Sequence, residues 1–422
     1  MIVTRLDLVD YRNYVSASFG LTAGTTAVVG LNGQGKTNFA EALGYLSTLD
    51  SFRGAPADAL IRMGADTAII RATVLQEDGR EVLVEAELNR SGRNRVLVNR
   101  QKLPRTRDLL GVVRVSVFSP DDLALVKEGP GERRRFLDDT LVALALKYDA
   151  LRLELDRVVK QRNTLLKQAN GRLDDAAEIT LDVWDAKLAQ LGDQFGHARS
   201  VLVARLDPMV QEAYEHLAGV VTPIELRYEP AWRQRGLATA LAESRTDDVR
   251  RGVSTVGPHR DDVELMVNGM PARTHASQGE QRTLALALRL GAHRLITDRT
   301  GSAPVLILDD VLSELDAQRA TALLHHLPPG QVVLTTASPL PDAAHPDATV
   351  RIVAGTVDAP VLAPVLAPVV APVVAPVVAP VVAPVVAPVV APVDHDPAAT
   401  PVAPGVPERP ASDAATVDAD GD

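Results

Sequence analysis

Apolar and polar positions alternate in short runs over the first third of the chain. Residues 2–8, 68–75, 81–88 and 95–99 each read as half-exposed antiparallel strands. Asp78-Gly79 and Ser91-Gly92 supply hairpin turns between them. Residues 25–29 and 112–118 are strand-like too, and 25–29 is apolar enough to be buried. From Arg133 the period changes. Leu137, Leu141, Leu144, Tyr148, Leu151, Leu155, Val158 and Leu165 form a stripe with a period of about 3.5 residues, broken by Arg162. After a turn at Asn170-Gly171 a second stripe runs through Trp184, Leu188, Leu191, Phe195, Ala198 and Leu202, continuing less regularly to Leu217. Two long helices joined by a short polar turn predict an antiparallel hairpin. Their strongly charged reverse faces favour a protruding subdomain over a pair of core helices. Strand-like segments return over 222–275, then a helix over 283–295, a buried strand over 304–310 and another over 331–335.

This order predicts an α/β head assembled from residues 1–132 and 222–357, with the helical hairpin 133–221 inserted between its halves. The remainder, 358–422, is of another kind. Ala-Pro-Val-Val or Ala-Pro-Val-Leu repeats every four residues from 359 to 393. A proline every fourth residue removes a helical hydrogen bond each turn, so the run is read as an extended spacer of about 3.1 Å per residue and not as a membrane span. The acidic end is expected to be disordered.

Composition narrows the picture only a little. With 46% hydrophobic and 23% charged residues the chain falls among soluble globular proteins. It contains no cysteine, which excludes disulfides and thiolate metal sites. The start lacks the charged and apolar regions of a signal peptide, so a cytoplasmic location is expected. Much of the net charge of −10 belongs to the tail, where eight acids face the single base Arg409. The body before it is close to neutral and can carry basic patches.

The chemistry is announced by Gly30-Leu31-Asn32-Gly33-Gln34-Gly35-Lys36-Thr37, which matches the phosphate-binding loop Gly-x-x-x-x-Gly-Lys-Thr at every required position. A strand precedes it and a helix pattern follows, so successive backbone N–H groups can converge on an anion at a helix N-terminus. Lys36 can reach the β- and γ-phosphates of ATP, and Thr37 can offer its hydroxyl to Mg²⁺. Asp309 and Asp310 end the apolar strand 304–310, as a Walker B element would: Asp309 for Mg²⁺, Asp310 as the general base that orients water. Ser277-Gln278-Gly279-Glu280-Gln281 opens a helix and reads either as a second anion site or as a plain capping box, Ser277 with Glu280. Ser313-Glu314-Leu315-Asp316 follows the paired acids.

Phosphate loop, long insertion, Ser-Gln-Gly-Glu-Gln, Walker B and Ser-x-Leu-Asp, in that order, resemble the ATP-binding-cassette ATPases. Within them residues 1–357 are similar to the RecF family of bacterial recombination mediators, related to structural-maintenance-of-chromosomes heads. The stretches that carry the likeness are Asp10-Tyr11-Arg12-Asn13-Tyr14, the phosphate loop, Phe118-Ser119-Pro120-Asp121-Asp122-Leu123, Arg133-Arg134-Arg135-Phe136-Leu137-Asp138 and Val256-Gly257-Pro258-His259-Arg260-Asp261-Asp262. The resemblance implies a weak ATPase that dimerises on ATP, with Ser277 and Gly279 of one copy closing over the ATP of the other and Asp316 at the seam. It implies Arg12 as a nucleotide contact, DNA, RecO and RecR as partners, and a role in loading recombinase onto single-stranded DNA. His259 and Arg260 stay open between structure and site. The second Walker B acid is Asp310 where most cassette ATPases have Glu, Thr335-Thr336 stands where they place a switch histidine, and no Q-loop glutamine is evident; all imply slow turnover.

A DNA interface is expected in the acid-free stretch containing Arg90, Arg93, Arg95, Arg100, Lys102, Arg105 and Arg107, with Arg133-Arg134-Arg135 nearby. Few aromatics flank it, favouring backbone contacts without sequence preference. A transporter ATPase subunit and an ATP-holding scaffold without turnover are the alternatives. The first would be expected to show Leu-Ser-Gly-Gly-Gln, a switch histidine and a shorter insertion.

Overall fold

In a computed structural model, which describes residues 1–357 and the strand Val361–Leu362, the alternating N-terminal runs become one antiparallel sheet. Its strands are β1 (Ile2–Tyr11), β2 (Tyr14–Gly20), β4 (Thr67–Leu75), β5 (Glu81–Asn89), β6 (Arg95–Val98) and β7 (Gln101–Lys102), in the order β2-β1-β4-β5-β6-β7. The two expected turns form, with Gly79 at φ 80° and Gly92 at φ 95°. A third, unexpected turn joins β6 to β7 through Asn99 and Arg100, both left-handed at φ 51° and 66°. That is the geometry a tight hairpin requires of its two central residues.

The second sheet is mainly parallel, ordered β15-β14-β3-β13-β12-β8 with β16 on β14. These strands are β3 (Thr25–Val29), β8 (Val115–Phe118), β12 (Val305–Asp309), β13 (Val332–Thr336), β14 (Ala348–Val353), β15 (Thr356–Val357) and β16 (Val361–Leu362). Every residue of β12 and β13 is buried, as both faces of a parallel sheet are covered. Alternate side chains therefore enter different cores. Val305 and Ile307 join the core formed by the antiparallel sheet and α1 (Lys36–Thr48), including Phe39 and Leu43. Leu306 and Leu308 join the core of the helical lobe.

That lobe contains α2 (Ala124–Lys127), α3 (Pro130–Leu144), α4 (Lys147–Ala169), α5 (Asp175–Ala218), α6 (Leu237–Arg251), α7 (Ala272–His275), α8 (Gln278–Thr300) and α9 (Ala317–His325), with a small sheet of β9 (Ile224–Arg227), β10 (Glu264–Val267) and β11 (Met270–Pro271). The first apolar stripe belongs to two helices, α3 and α4, because the backbone becomes extended at Ala145. The second is a single helix of 44 residues that continues through Pro208. The α4–α5 hairpin exists, but α5 is also a core helix. Gly291 of α8 lies so close to it that a Cβ there would stand 2.9 Å from Val210 Cγ2. The Ala-Pro-Val repeat and acidic end lie outside the described residues, apart from the strand Val361–Leu362.

Candidate nucleotide-binding site

The parallel register brings three strand ends to one level. Asp309 pairs with Thr335, and Thr336 with Val29, the residue before the loop. Ligands bind at this carboxyl edge in open α/β sheets. The loop 30–37 is shaped by its glycines and clamped from both sides. Gly33 and Gly35 have φ of 77° and 121°. At Gly35 a Cβ would lie 2.6 Å from the Tyr14 hydroxyl, which donates to Gly35 O at 2.8 Å. Gln34 O accepts from Asn13 Nδ2 at 2.8 Å and from Gly355 N at 3.3 Å, and Gln34 Oε1 accepts from Ala354 N. Gly30 is pressed against β14, where a Cβ would meet Ile352 O at 2.5 Å. Leu31, Asn32 and Gly33 form the exposed crest. Lys36 begins α1 and is buried; its Nζ donates to Leu31 O at 3.1 Å, folded back along the loop.

Asp309 is 2% exposed and accepts from Thr335 Oγ1 at 2.6 Å. Burial holds its carboxyl above the ordinary range, opposed by the Thr335 hydrogen bond and by the nearby Thr37 hydroxyl. A hydroxyl beside one carboxylate suits Mg²⁺, which keeps most of its shell for water and phosphate. Among the described residues no cluster of three or more carboxylates and histidines forms a dedicated metal cage. Asp310 has a left-handed backbone, φ 52°, fixed by its N–H donating to Thr335 O at 3.1 Å and Thr335 Oγ1 at 3.0 Å. Its Oδ1 is buried without a hydrogen-bond partner among the described residues. Strain and an unsatisfied carboxylate oxygen on one residue are features of reactive sites.

Arg12 meets the site through α1. Its Nε and Nη2 donate to Glu41 at 2.7 and 2.6 Å, and its Nη1 to Ala59 O at 3.0 Å. Glu41, fully buried, also accepts from Ser51 Oγ at 2.5 Å and lies 4.0 Å from Arg53. Arg53 is close enough to Asp309 to counter the upward shift of its carboxyl. The motifs do not reveal Glu41 or Arg53; the one local hint is a carboxylate at the fifth helix position after Lys36, on an otherwise apolar surface.

The candidate signature lies across the sheet. Ser277 caps α8: its Oγ accepts from Glu280 N at 3.3 Å and donates to Glu280 Oε2 at 2.7 Å, so the capping box is real. Ser277 is nonetheless exposed and Gly279 half-buried. Asp316 caps α9, accepting from Arg319 N at 2.8 Å. Because α1 and α8 occupy opposite faces of the parallel sheet, no hydrogen bond or ion pair among the described residues joins Ser277, Gly279 or Asp316 to the loop 30–37.

Several residues that carry the family resemblance are engaged within the helical lobe. Asp262 takes a bidentate pair from Arg133 at 2.7 and 2.9 Å. Asp261 accepts from Tyr228 at 2.5 Å and Trp232 at 2.7 Å. Arg134 donates to Asp261 O at 2.6 Å. Burial depresses His259 to about 4, leaving it neutral, and its Nε2 lies 3.2 Å from Ser254 O. His259, Asp261 and Asp262 thus act as a joint between α3, β9 and the turns that follow. Arg133 and Arg134 point into this joint, which removes them from the expected basic patch. Within the acid-free stretch Arg90 donates to Ala65 O and Arg62 O, while Arg95 and Arg107 pair with Glu87 and Asp149. Arg93, Arg100, Lys102 and Arg105 are exposed and make no ion pair among the described residues.

Comparison with known proteins gives the family and the fold. The model of the RecF/RecN/SMC N-terminal domain matches residues 2–338. The DNA replication and repair protein RecF of Streptomyces avermitilis is 45% identical over 371 residues, 84% of this chain and 97% of that protein. That of Cutibacterium acnes is 42% identical over 365 residues, 80% and 92% of the two chains. A solved structure of the recombination mediator RecF of the RecFOR pathway with ATP superposes with a TM-score of 0.78 at 30% identity, covering 84% of this chain and 96% of that one. The Smc head domain of Pyrococcus furiosus, at TM-score 0.53 and 16% identity over 85% and 96% of the chains, shares the fold. The chain belongs to the RecF family, with the mixed α/β architecture of an ATP-binding-cassette or SMC-type ATPase head.

Proposed function

We propose that the chain is an ATP-dependent DNA-binding protein of recombinational gap repair and replication-fork maintenance, in which ATP closes two heads and slow hydrolysis reopens them. The observation that supports this reading is that Ser277 and Gly279, at the capped but solvent-facing start of α8, lie across the sheet from the phosphate loop. Backbone N–H groups of residues 33–37 cradle the phosphates, and Lys36 swings from Leu31 O towards the β- and γ-phosphates. Thr37 and Asp309 hold Mg²⁺, which when bound neutralises developing charge on the phosphates. Asp310 orients the attacking water with its unpartnered Oδ1 and accepts its proton. Being one methylene shorter than glutamate, it reaches less far, consistent with slow turnover. Ser277 and Gly279 of a second copy close the open side of the cradle, with Asp316 at the seam and Arg12 backing the nucleotide through Glu41.

ATP-dependent dimerisation of the full chain tests this reading. Ser277→Arg is expected to keep ATP binding but to remain monomeric by sedimentation velocity at concentrations where the wild type dimerises. A Ser277→Arg protein that still pairs on ATP contradicts the trans arrangement. A wild type that pairs but never hydrolyses ATP is the scaffold alternative. Family membership favours the repair reading over a transporter ATPase subunit, and no described helix is long and apolar enough to cross a membrane.

DNA, single-stranded or gapped, is proposed to lie along the β6–β7 edge, where Arg93, Arg100, Lys102 and Arg105 are free to neutralise phosphates. RecO and RecR are the proposed partners in loading recombinase, and the cytoplasm the proposed location. Each lost phosphate contact lowers the salt slope of log K by about 0.7 for single strands. Arg100→Gln with Lys102→Gln should therefore reduce the slope by about 1.4 in a fluorescence titration with oligonucleotides of different sequence. An unchanged slope places the DNA elsewhere.

A further inference from the structure

We infer that Arg319 supplies the positive charge with which the signature helix of one copy grips the γ-phosphate held by the other, and that Asp316 acts by positioning it. The inference rests on the trans reading above and deepens it. Arg319 stands in the first turn of α9, where Asp316 holds it twice: Oδ1 accepts its backbone N–H at 2.8 Å and Oδ2 its Nη1 at 2.9 Å. The guanidinium so fixed lies against the first turn of α8. A Cβ on Gly279 would stand 2.7 Å from Arg319 Nη1 and 3.4 Å from both Nη2 and Cζ. Glycine at 279 thus gives the guanidinium its seat, beyond any approach of backbone to phosphate. The side chain is 30% exposed, so the guanidinium is not sealed off from solvent.

Electrostatics make this an unusual place for a cation. Helix N-termini carry partial positive charge and favour anions, yet Arg319 sits at two of them, those of α8 and α9. Asp316 offsets part of this, and Glu280 part, although Ser277 engages Glu280 through two hydrogen bonds and chiefly sets its lowered pKa. Filling the groove beside Gly279 requires no charge, and an uncharged side chain would avoid the repulsion. A phosphate group reverses the balance: it meets two helix starts and a planar donor fork that suits its oxygens. The turn before α9 is tied to the signature helix as well, because Arg282 Nη1 donates to Glu314 O at 3.2 Å. In the isolated chain the groups of this half-site are already preassembled.

Three variants of the full chain test the role. Binding of a fluorescent ATP analogue to the monomer reports the phosphate loop, and sedimentation velocity with ATP reports closure. Arg319→Ala is expected to leave monomer affinity within about twofold and to raise the dimerisation midpoint about tenfold or more, the loss of a charge-assisted contact at each of two sites. Arg319→Lys, which keeps charge without the fork, should recover part of the loss. Asp316→Asn still caps α9, since Asn and Asp cap about equally well, so its melting temperature should hold while its midpoint rises. A merely structural Arg319 would lower the melting temperature, and Lys would not restore pairing. Arg319→Ala pairing at the wild-type concentration, with Ser277→Arg still monomeric, overturns the inference and leaves the trans reading intact. A wild type that ignores ATP overturns both, beginning with the trans reading.

Discussion

Lys36→Ala is expected to abolish measurable ATP binding without unfolding the chain. The Lys36 side chain is buried beneath the loop, and its ammonium donates to Leu31 O alone among the described residues. No carboxylate among them pairs with it. A buried ammonium held by one carbonyl is poorly compensated, and it becomes favourable only when an anion arrives. Its removal should therefore cost the ligand-free protein little, whereas the phosphates lose their one internal cation. Thermal melting separates the two effects. Wild-type protein at ATP concentrations about a hundredfold above Kd gains about 2.7 kcal/mol of stability by mass action, and Lys36→Ala should gain none while melting like the wild type without ATP. A variant that ATP still stabilises would falsify the assignment of the loop.

The loop, the strands around it and Asp309-Asp310 are legible in sequence because each is a local pattern. A short strand ending in three apolar residues, a glycine-rich octet and a helix start are contiguous, and β12 reads as buried from its own composition. Ser277 is legible in two senses at once, because a helix cap and an anion site use the same N–H groups; the structure contains the cap and leaves the hydroxyl exposed. What the sequence conceals are pairings across long separations. Arg162 looks like a defect in an apolar stripe until Asp248, 86 residues on, is found beside it. Arg133 looks like part of a basic patch until Asp262 is seen to claim it. The side of the sheet on which α8 lies, which divides the nucleotide site, depends on the parallel strand order and on no local signal.

Arg162 carries the second large expected effect. It is fully buried where α4, α5 and α6 meet; its Nε donates to Asp185 at 2.5 Å and its Nη1 to Asp248 at 2.7 Å and Ser254 Oγ at 2.8 Å. Asp248 is itself fully buried and also accepts from Thr255 N at 2.9 Å. Arg162→Ala leaves both acids without their cation, and breaking a buried pair in this way costs about 3–5 kcal/mol. That is a large fraction of the 5–15 kcal/mol, roughly, that a folded domain has in total. The sign of the pH dependence identifies the cause. Burial already pushes the Asp185 carboxyl upward, and Arg162 is what chiefly opposes it. Without the arginine the folded state holds protons that the unfolded state releases, so the variant's deficit should shrink as pH falls from about 7 towards about 5. Urea unfolding of Arg162→Ala at the two pH values measures this. A deficit equal at both would point to lost packing in place of stranded charge, and the double change Arg162→Leu with Asp248→Asn should regain part of the loss if stranded charge is the cause.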